Sequence, residues 1–336
     1  MKAAVIFEHG PPGSIQYCAD YPDPVPAAGE VLVKVRAATL NYHDIFTRRG
    51  MPGIKVPMPC IMGIDFAGDI VALGAGVTDC KVGDRVLIDP IDRVHGGGLI
   101  GEMRPGGLAE LCAVPSHHLV HLPTGVSYEL AACLPVAYGT ALRMVRTIGE
   151  IKAGEKVLIL GASGGVGTCC VQLAKLAGAE VIACASTAEK LARLKELGAD
   201  HGIDYTKEDF AKWVYARYGK PHRRQFDGGV DVVVNFTGGD TWVPSLRALR
   251  RQGRLLTCGA TAGFDPREDI RFIWTFELNI RGSNGWMRED IGVLLEMISA
   301  GKLTPVIDRE FPLTEANEAF RLLEDRLVFG KVVVRP

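Results

Sequence analysis

The stretch Val157-Leu-Ile-Leu-Gly-Ala-Ser-Gly-Gly-Val-Gly167 decides the fold. Four apolar residues make a buried strand, and the glycine-rich turn after it opens a helix. Gly164 lets backbone approach a pyrophosphate with no Cβ in the way, and Gly167 lets the helix pack close to the sheet. The free N–H groups at the helix start then face the anion, which makes Ala162, Ser163, Gly164, Gly165, Val166 and Gly167 the cofactor-binding candidates. Ala162 stands where the dinucleotide fingerprint has its first glycine, so the match reads A-x-G-x-x-G. A lone glycine motif is weak evidence, but this one carries its strand, its helix and the next strand.

Outward from the turn, strands and helices alternate. Val181–Cys184 precedes a helix over 188–197, and 201–205 precedes one near 206–218. The strand 230–235 precedes a helix near 241–250, and 254–258 precedes a short helix near 270–276. The strand 279–282 is the last. Parallel neighbours need crossovers, so this alternation predicts a Rossmann doubly wound parallel sheet over residues 131–280. Residues 1–130 contain short strands and crowded prolines, and with 281–336 they form a second, strand-rich domain.

The end of the second strand bears on the cofactor. An NAD site places Asp or Glu about 20 residues past the turn to bind the ribose. Here the tip is Ala185-Ser186-Thr187, with Lys190 one turn into the helix. A hydroxyl and a cation suit a 2′-phosphate, so Ser186 and Lys190 point to NADPH rather than NADH.

Composition excludes several classes. Apolar residues are 47% of the 336 and the net charge is −1, which rules out a disordered chain and gives no global attraction to nucleic acid or anionic membrane. The start Met1–Phe7 is too short an apolar run for a signal peptide. Nine scattered cysteines without a C-x-x-C pair read as reduced thiols, which predicts a cytoplasmic protein. Cys169 and Cys170 read as core residues.

The motifs Ala38-Thr-Leu-Asn-Tyr-His-Asp44, Gly63-Ile-Asp-Phe-Ala-Gly68, Val82-Gly-Asp-Arg-Val86 and Gly106-Gly-Leu-Ala-Glu110 resemble those of medium-chain dehydrogenases/reductases. So do the glycine turn and the closing Gly330-Lys-Val-Val-Val334. The resemblance implies a GroES-like catalytic domain made of both chain ends around an inserted dinucleotide domain. It places the family's three catalytic zinc ligands at Asn41, Ile64 and Val136, none of them a Cys, His or carboxylate. The four-cysteine structural zinc lobe is also absent between Ile88 and Leu108. No metal site is therefore expected. The chain resembles instead the zinc-independent quinone oxidoreductase and enone reductase branch. That branch implies a phosphate contact from Lys190, Tyr205 and Arg326.

The expected activity is NADPH-dependent hydride transfer to a quinone or an α,β-unsaturated carbonyl. Asn41 (amide donor), Tyr42 (phenol donor) and His43 (proton source) are the catalytic candidates, and Tyr42 and His43 cannot share a face if the segment is extended. Asp44 reads as a loop-holding residue. An alcohol dehydrogenase-like enzyme and a non-catalytic NADPH-binding protein are the alternatives. His117, His118 and His121 read as ordinary strand and loop residues, and a cation near Asp89, Asp92 and His95 stays open. An open sheet edge at Leu278–Ser283 implies a homodimer.

Overall fold

A computed structural model describes all 336 residues, Met1–Pro336. The chain divides into two compact units, one of residues 1–137 with 291–336 and one of residues 138–290.

The second unit is a six-stranded parallel sheet with helices in the crossovers. Its strands are β1 (Lys156–Ile159), β2 (Glu180–Ala185), β3 (His201–Asp204), β4 (Val230–Val234), β5 (Leu249–Thr257) and β6 (Asn279–Gly282), in the order β3-β2-β1-β4-β5-β6. The order reverses between β1 and β4, which puts the switch point beside the glycine turn. Helices α1 (Gly165–Leu176) and α2 (Ala188–Glu196) follow β1 and β2. Val157, Leu158, Ile159, Val181, Ile182 and Val233 are fully buried, as strands covered on both faces must be. Cys169 and Cys170 are buried on α1, and desolvation holds both thiols well above their ordinary range.

The start of β5 differs from the sequence expectation. The helix expected to reach 250 ends at Ala248, and β5 begins at Leu249 rather than Arg254. The pairing of β4 with β5 shifts register between Val230 and Val232, and Gln252 sits at φ 60°. Such an irregularity breaks the alternation by which a strand is read from sequence.

The first unit centres on the long strand Glu30–Thr39. It pairs antiparallel with Asp65–Leu73, with Leu111–Pro115 and with Lys331–Arg335. Alternation along it is plain, with Val31, Val33 and Val35 inside and Lys34 and Arg36 outside. The helix Tyr42–Arg49 leaves the end of this strand, and a long connection over 89–110 precedes Leu111–Pro115. Buried Arg48 fixes that helix to Ala316–Glu324 by hydrogen bonds of 2.9 and 3.0 Å to the Glu324 carboxylate. No helix is long and apolar enough to cross a membrane.

Candidate active site

The glycine turn is built by backbone packing. The Ala162 N–H donates to the Cys184 carbonyl at 3.2 Å, which ties the turn to β2. A Cβ on Gly167 would lie 2.3 Å from the Gly161 oxygen and 2.6 Å from the Ala162 Cα, so no other residue fits. Gly164 is different. Its φ of −81° and ψ of 175° suit any residue, and a Cβ there would meet only the Gly161 oxygen at 3.6 Å. Nothing within the protein requires glycine at 164, and the space beside it is open. Gly164 caps α1 without a side-chain hydrogen bond, and the first turn has no acidic residue. The next helix, by contrast, is capped by the Thr187 hydroxyl, which accepts the Lys190 N–H at 3.2 Å. An uncapped helix N-terminus with a cradle beside it fits a pyrophosphate.

Ser186 and Tyr205 follow the neighbouring ends of β2 and β3, and Lys190 lies in the first turn of α2. Ala185 pairs with Asp204, and the Tyr205 N–H donates to the Ala185 carbonyl at 3.2 Å. Tyr205 is exposed. Asp204 is a carboxylate near this tip, but it closes on its own loop. Its oxygens take the Thr206 hydroxyl at 2.6 Å and the Lys207 ammonium at 2.7 Å, and the Lys207 contact foremost pulls its pKa down to about 2. Arg326 lies in the other unit, after the helix Ala316–Glu324, at φ 59°.

In the first unit, three strand ends converge. Asp65 opens one strand, Asn41 follows the next, and Lys331 opens the C-terminal one. Lys331 Nζ donates to Asn41 Oδ1 at 2.5 Å and to the Leu40 carbonyl at 2.9 Å, and it lies 3.6 Å from Asp65 Oδ2. Asn41 Nδ2 donates to Asp65 Oδ2 at 2.8 Å. Asp44 accepts the Asn41 N–H at 2.8 Å and the Ile64 N–H at 3.2 Å, and Asp65 accepts the Val136 N–H at 3.2 Å. Asp44 and Asp65 are fully buried, and Asn41 and Lys331 nearly so. Desolvation raises both acids, Asp65 to about 7 even with the Lys331 ammonium beside it. Thus Asn41, Ile64 and Val136 each give a hydrogen to a buried carboxylate. Asn41 was expected to offer its amide to substrate; in the structure that amide donates to Asp65 and accepts from Lys331.

The segment after Asn41 is helical, not extended, so side chains four apart share a face. Tyr42 packs edge-on against Phe46 with ring centroids 5.3 Å apart. His43 turns to another face, where its Nε2 meets Glu102 Oε2 at 2.7 Å, and the Thr47 hydroxyl reaches the same carboxylate at 3.4 Å. Burial alone would lower the His43 pKa, but the hydrogen bond and charge of Glu102 outweigh it and the net shift is upward. Glu102, Asp65 and Lys331 are absent from the sequence-based candidates. The available signal was a charged residue inside an apolar run, as in Gly-Ile-Asp65-Phe-Ala and Gly-Lys331-Val-Val-Val, since a buried charge must find a partner.

Residues 27–124 match the family model of the alcohol dehydrogenase GroES-like domain, and residues 165–300 match that of zinc-binding dehydrogenase. The chain belongs to the medium-chain dehydrogenase/reductase superfamily of oxidoreductases. Within it, the chain falls in the branch of quinone oxidoreductase-like proteins and enone reductases. It is 33% identical over its whole length to the NADPH-dependent alkenal/one oxidoreductase, chloroplastic, of Arabidopsis thaliana, covering 80% of that protein. It is 31% identical over 91% of its length to the quinone oxidoreductase-like protein 2 homolog of Nematostella vectensis, covering 81% of it. A crystal structure of an NAD-dependent alcohol dehydrogenase superposes with a TM-score of 0.90 at 35% identity, with both chains fully covered.

Proposed function

We propose that this chain is an NADPH-dependent reductase of quinones or α,β-unsaturated carbonyls that works without a catalytic zinc. The observation that carries the reading is the Asn41–Asp65–Lys331 cluster. Zinc needs thiolate, imidazole or carboxylate donors. Asn41, Ile64 and Val136 offer an amide and two backbone N–H groups, and the cation beside them is already an ammonium. These residues do not fit the ion.

Bound NADPH supplies the hydride. Gly164 and the α1 N-terminus receive its pyrophosphate in our reading, and Ser186, Lys190 and Tyr205 receive the 2′-phosphate. Without a Lewis acid, an isolated alkoxide is poorly stabilised. A conjugated acceptor is easier. The hydride pair enters the far carbon, the π electrons move to oxygen, and a proton completes the product. His43 is our proton donor. The hydrogen bond and charge of Glu102 raise its pKa, Glu102 holds one ring nitrogen, and the other is left to deliver the proton. Asn41 orders the loop, and Tyr42 remains a phenol donor to the substrate oxygen.

The test is an activity panel of enones, quinones and alcohols with both cofactors, before and after exhaustive chelation. Enone or quinone turnover with NADPH that survives chelation is expected. Turnover of alcohols with NAD, lost on chelation, would establish the second reading, to which the likeness to an alcohol dehydrogenase points. The strand β6 lies at the sheet edge with Ile280 39% exposed, which supports a homodimer pairing there. Nine unpaired thiols suit the cytoplasm.

A further inference from the structure

The connection over 89–110 holds a cluster that lies apart from the residues assigned above. Asp92 and His95 sit in this loop, and His117 sits in the single 3₁₀ turn Ser116–His118 after the strand Leu111–Pro115. One ligand atom from each lies within 4.8 Å of the other two. Sequence spacing had separated them, with Asp92 and His95 in one group and His117 in another.

Their distances are informative. Asp92 Oδ1 lies 3.2 Å from His117 Nε2 and 3.6 Å from His95 Nδ1. A charge-assisted hydrogen bond is about 2.7–2.9 Å. The pairs His43–Glu102 at 2.7 Å and His201–Glu180 at 2.8 Å show that this chain makes such bonds elsewhere. A tetrahedral ion with ligands at about 2.0–2.1 Å sets its ligand atoms roughly 3.3 Å apart. The two Asp92 separations straddle that edge length.

The carboxylate is also held in place. Asp92 Oδ1 accepts the N–H groups of Val94 at 3.1 Å and His95 at 2.9 Å. The Asp92 N–H donates to the Gly98 carbonyl and its carbonyl accepts the Gly96 N–H, both at 3.1 Å. Gly96 and Gly98 close this turn at φ 67° and 86°. His118 packs against the His117 ring at 4.5 Å between centroids, and its buried Nε2 has no hydrogen-bond partner. Side-chain exposure rises from 9% at Asp92 through 27% at His117 to 71% at His95, so the cluster opens to solvent.

We propose that Asp92, His95 and His117 form a binding site for a divalent transition cation of the zinc class, with its remaining position filled by water. Two imidazoles and one carboxylate are the donor set such an ion takes, whereas magnesium and calcium favour oxygen alone. The ion clamps the loop to the turn that follows the strand Leu111–Pro115. The reaction does not pass through the ion.

The full chain, stripped with chelator, is titrated with Zn²⁺ by calorimetry and with Co²⁺ by visible absorption. One saturable site per chain is expected, with a Co²⁺ spectrum of nitrogen and oxygen ligation and a melting temperature that rises with added metal. His95→Ala alters an exposed side chain and keeps the fold; it and His117→Ala should each weaken binding at least about tenfold. Non-saturating binding, affinity indifferent to His95→Ala, or a sulfur-to-cobalt charge-transfer band would overturn the site. These readouts are independent of turnover, so they stand or fall separately from the zinc-free reaction.

Discussion

The glycine turn of one unit and the Asp65 cluster of the other are built in opposite ways. The turn occupies seven consecutive residues, 161–167, and works through backbone and absent side chains. The cluster joins residues 290 positions apart in the chain and works through side-chain charge. A contiguous backbone device can be read, position by position, before any fold is known. A charge cluster has no local signature beyond the oddity of each member, because its partners are supplied by strand pairing.

The sharpest break of this comparison is within the turn itself. Gly167→Ala puts a Cβ 2.3 Å from a carbonyl oxygen, so the nucleotide-binding unit should lose its fold, read by circular dichroism. Gly164→Ala should melt like the parent yet bind NADPH at least tenfold more weakly, read by fluorescence titration, since its Cβ enters space that only a ligand uses. Equal effects from both would show that the turn is purely structural.

For the cluster, Lys331→Met leaves Asp44 and Asp65 buried without their cation. Breaking a buried pair in this way costs about 3–5 kcal/mol, measurable by denaturant unfolding. The sign of the pH response follows from Asp65. Its folded pKa of about 7 lies above the ordinary 3.8, so the folded state keeps a proton that the unfolded chain releases. Stability is therefore greatest below the lower value and falls as pH rises towards 7, by up to about 1.4 kcal/mol per pH unit. Asp65→Asn should flatten that slope; an unchanged slope would remove Asp65 as its source.

Side chains assigned to chemistry should move rates rather than melting. His43→Ala should lower kcat about 10²- to 10⁴-fold. Glu102→Gln should shift the acidic-form limb of the pH–rate profile to lower pH, because it removes the charge that raises His43. The smallest effect belongs to the cofactor tail. Lys190→Ala should raise the KM for NADPH roughly 10- to 150-fold, the worth of one charged contact, and leave that for NADH unmoved. A parallel rise for both would assign Lys190 to the solvated helix surface.

The same contrast explains what was legible. Strand–helix alternation exposed all six strands of the parallel sheet, and only β5 was misjudged at its start, where Gln252 and the register shift interrupt the pattern. The glycine turn and the neighbouring strand tips before Ser186 and Tyr205 follow from that frame, because strand ends in a parallel sheet lie side by side. His43 was visible as an imidazole in a suggestive motif. Glu102 was not, since it comes from an irregular loop whose path no periodicity records. Asp92, His95 and His117 were visible singly, and only the return of the strand Leu111–Pro115 brings the third to the other two.

The strand Lys331–Arg335 pairs with Ile307–Pro312 on one side and on the other with Glu30–Thr39, which was synthesised long before. During synthesis, residues 138–290 emerge as an uninterrupted stretch and can close their own sheet first. The N-terminal segments meanwhile carry Asp44 and Asp65 with no cation to bury against. The unit that holds the proposed proton donor thus stays an open template until the last strand is delivered from the ribosome. A nascent chain arrested before residue 331 would hold a finished nucleotide domain and an unfinished, protease-sensitive partner.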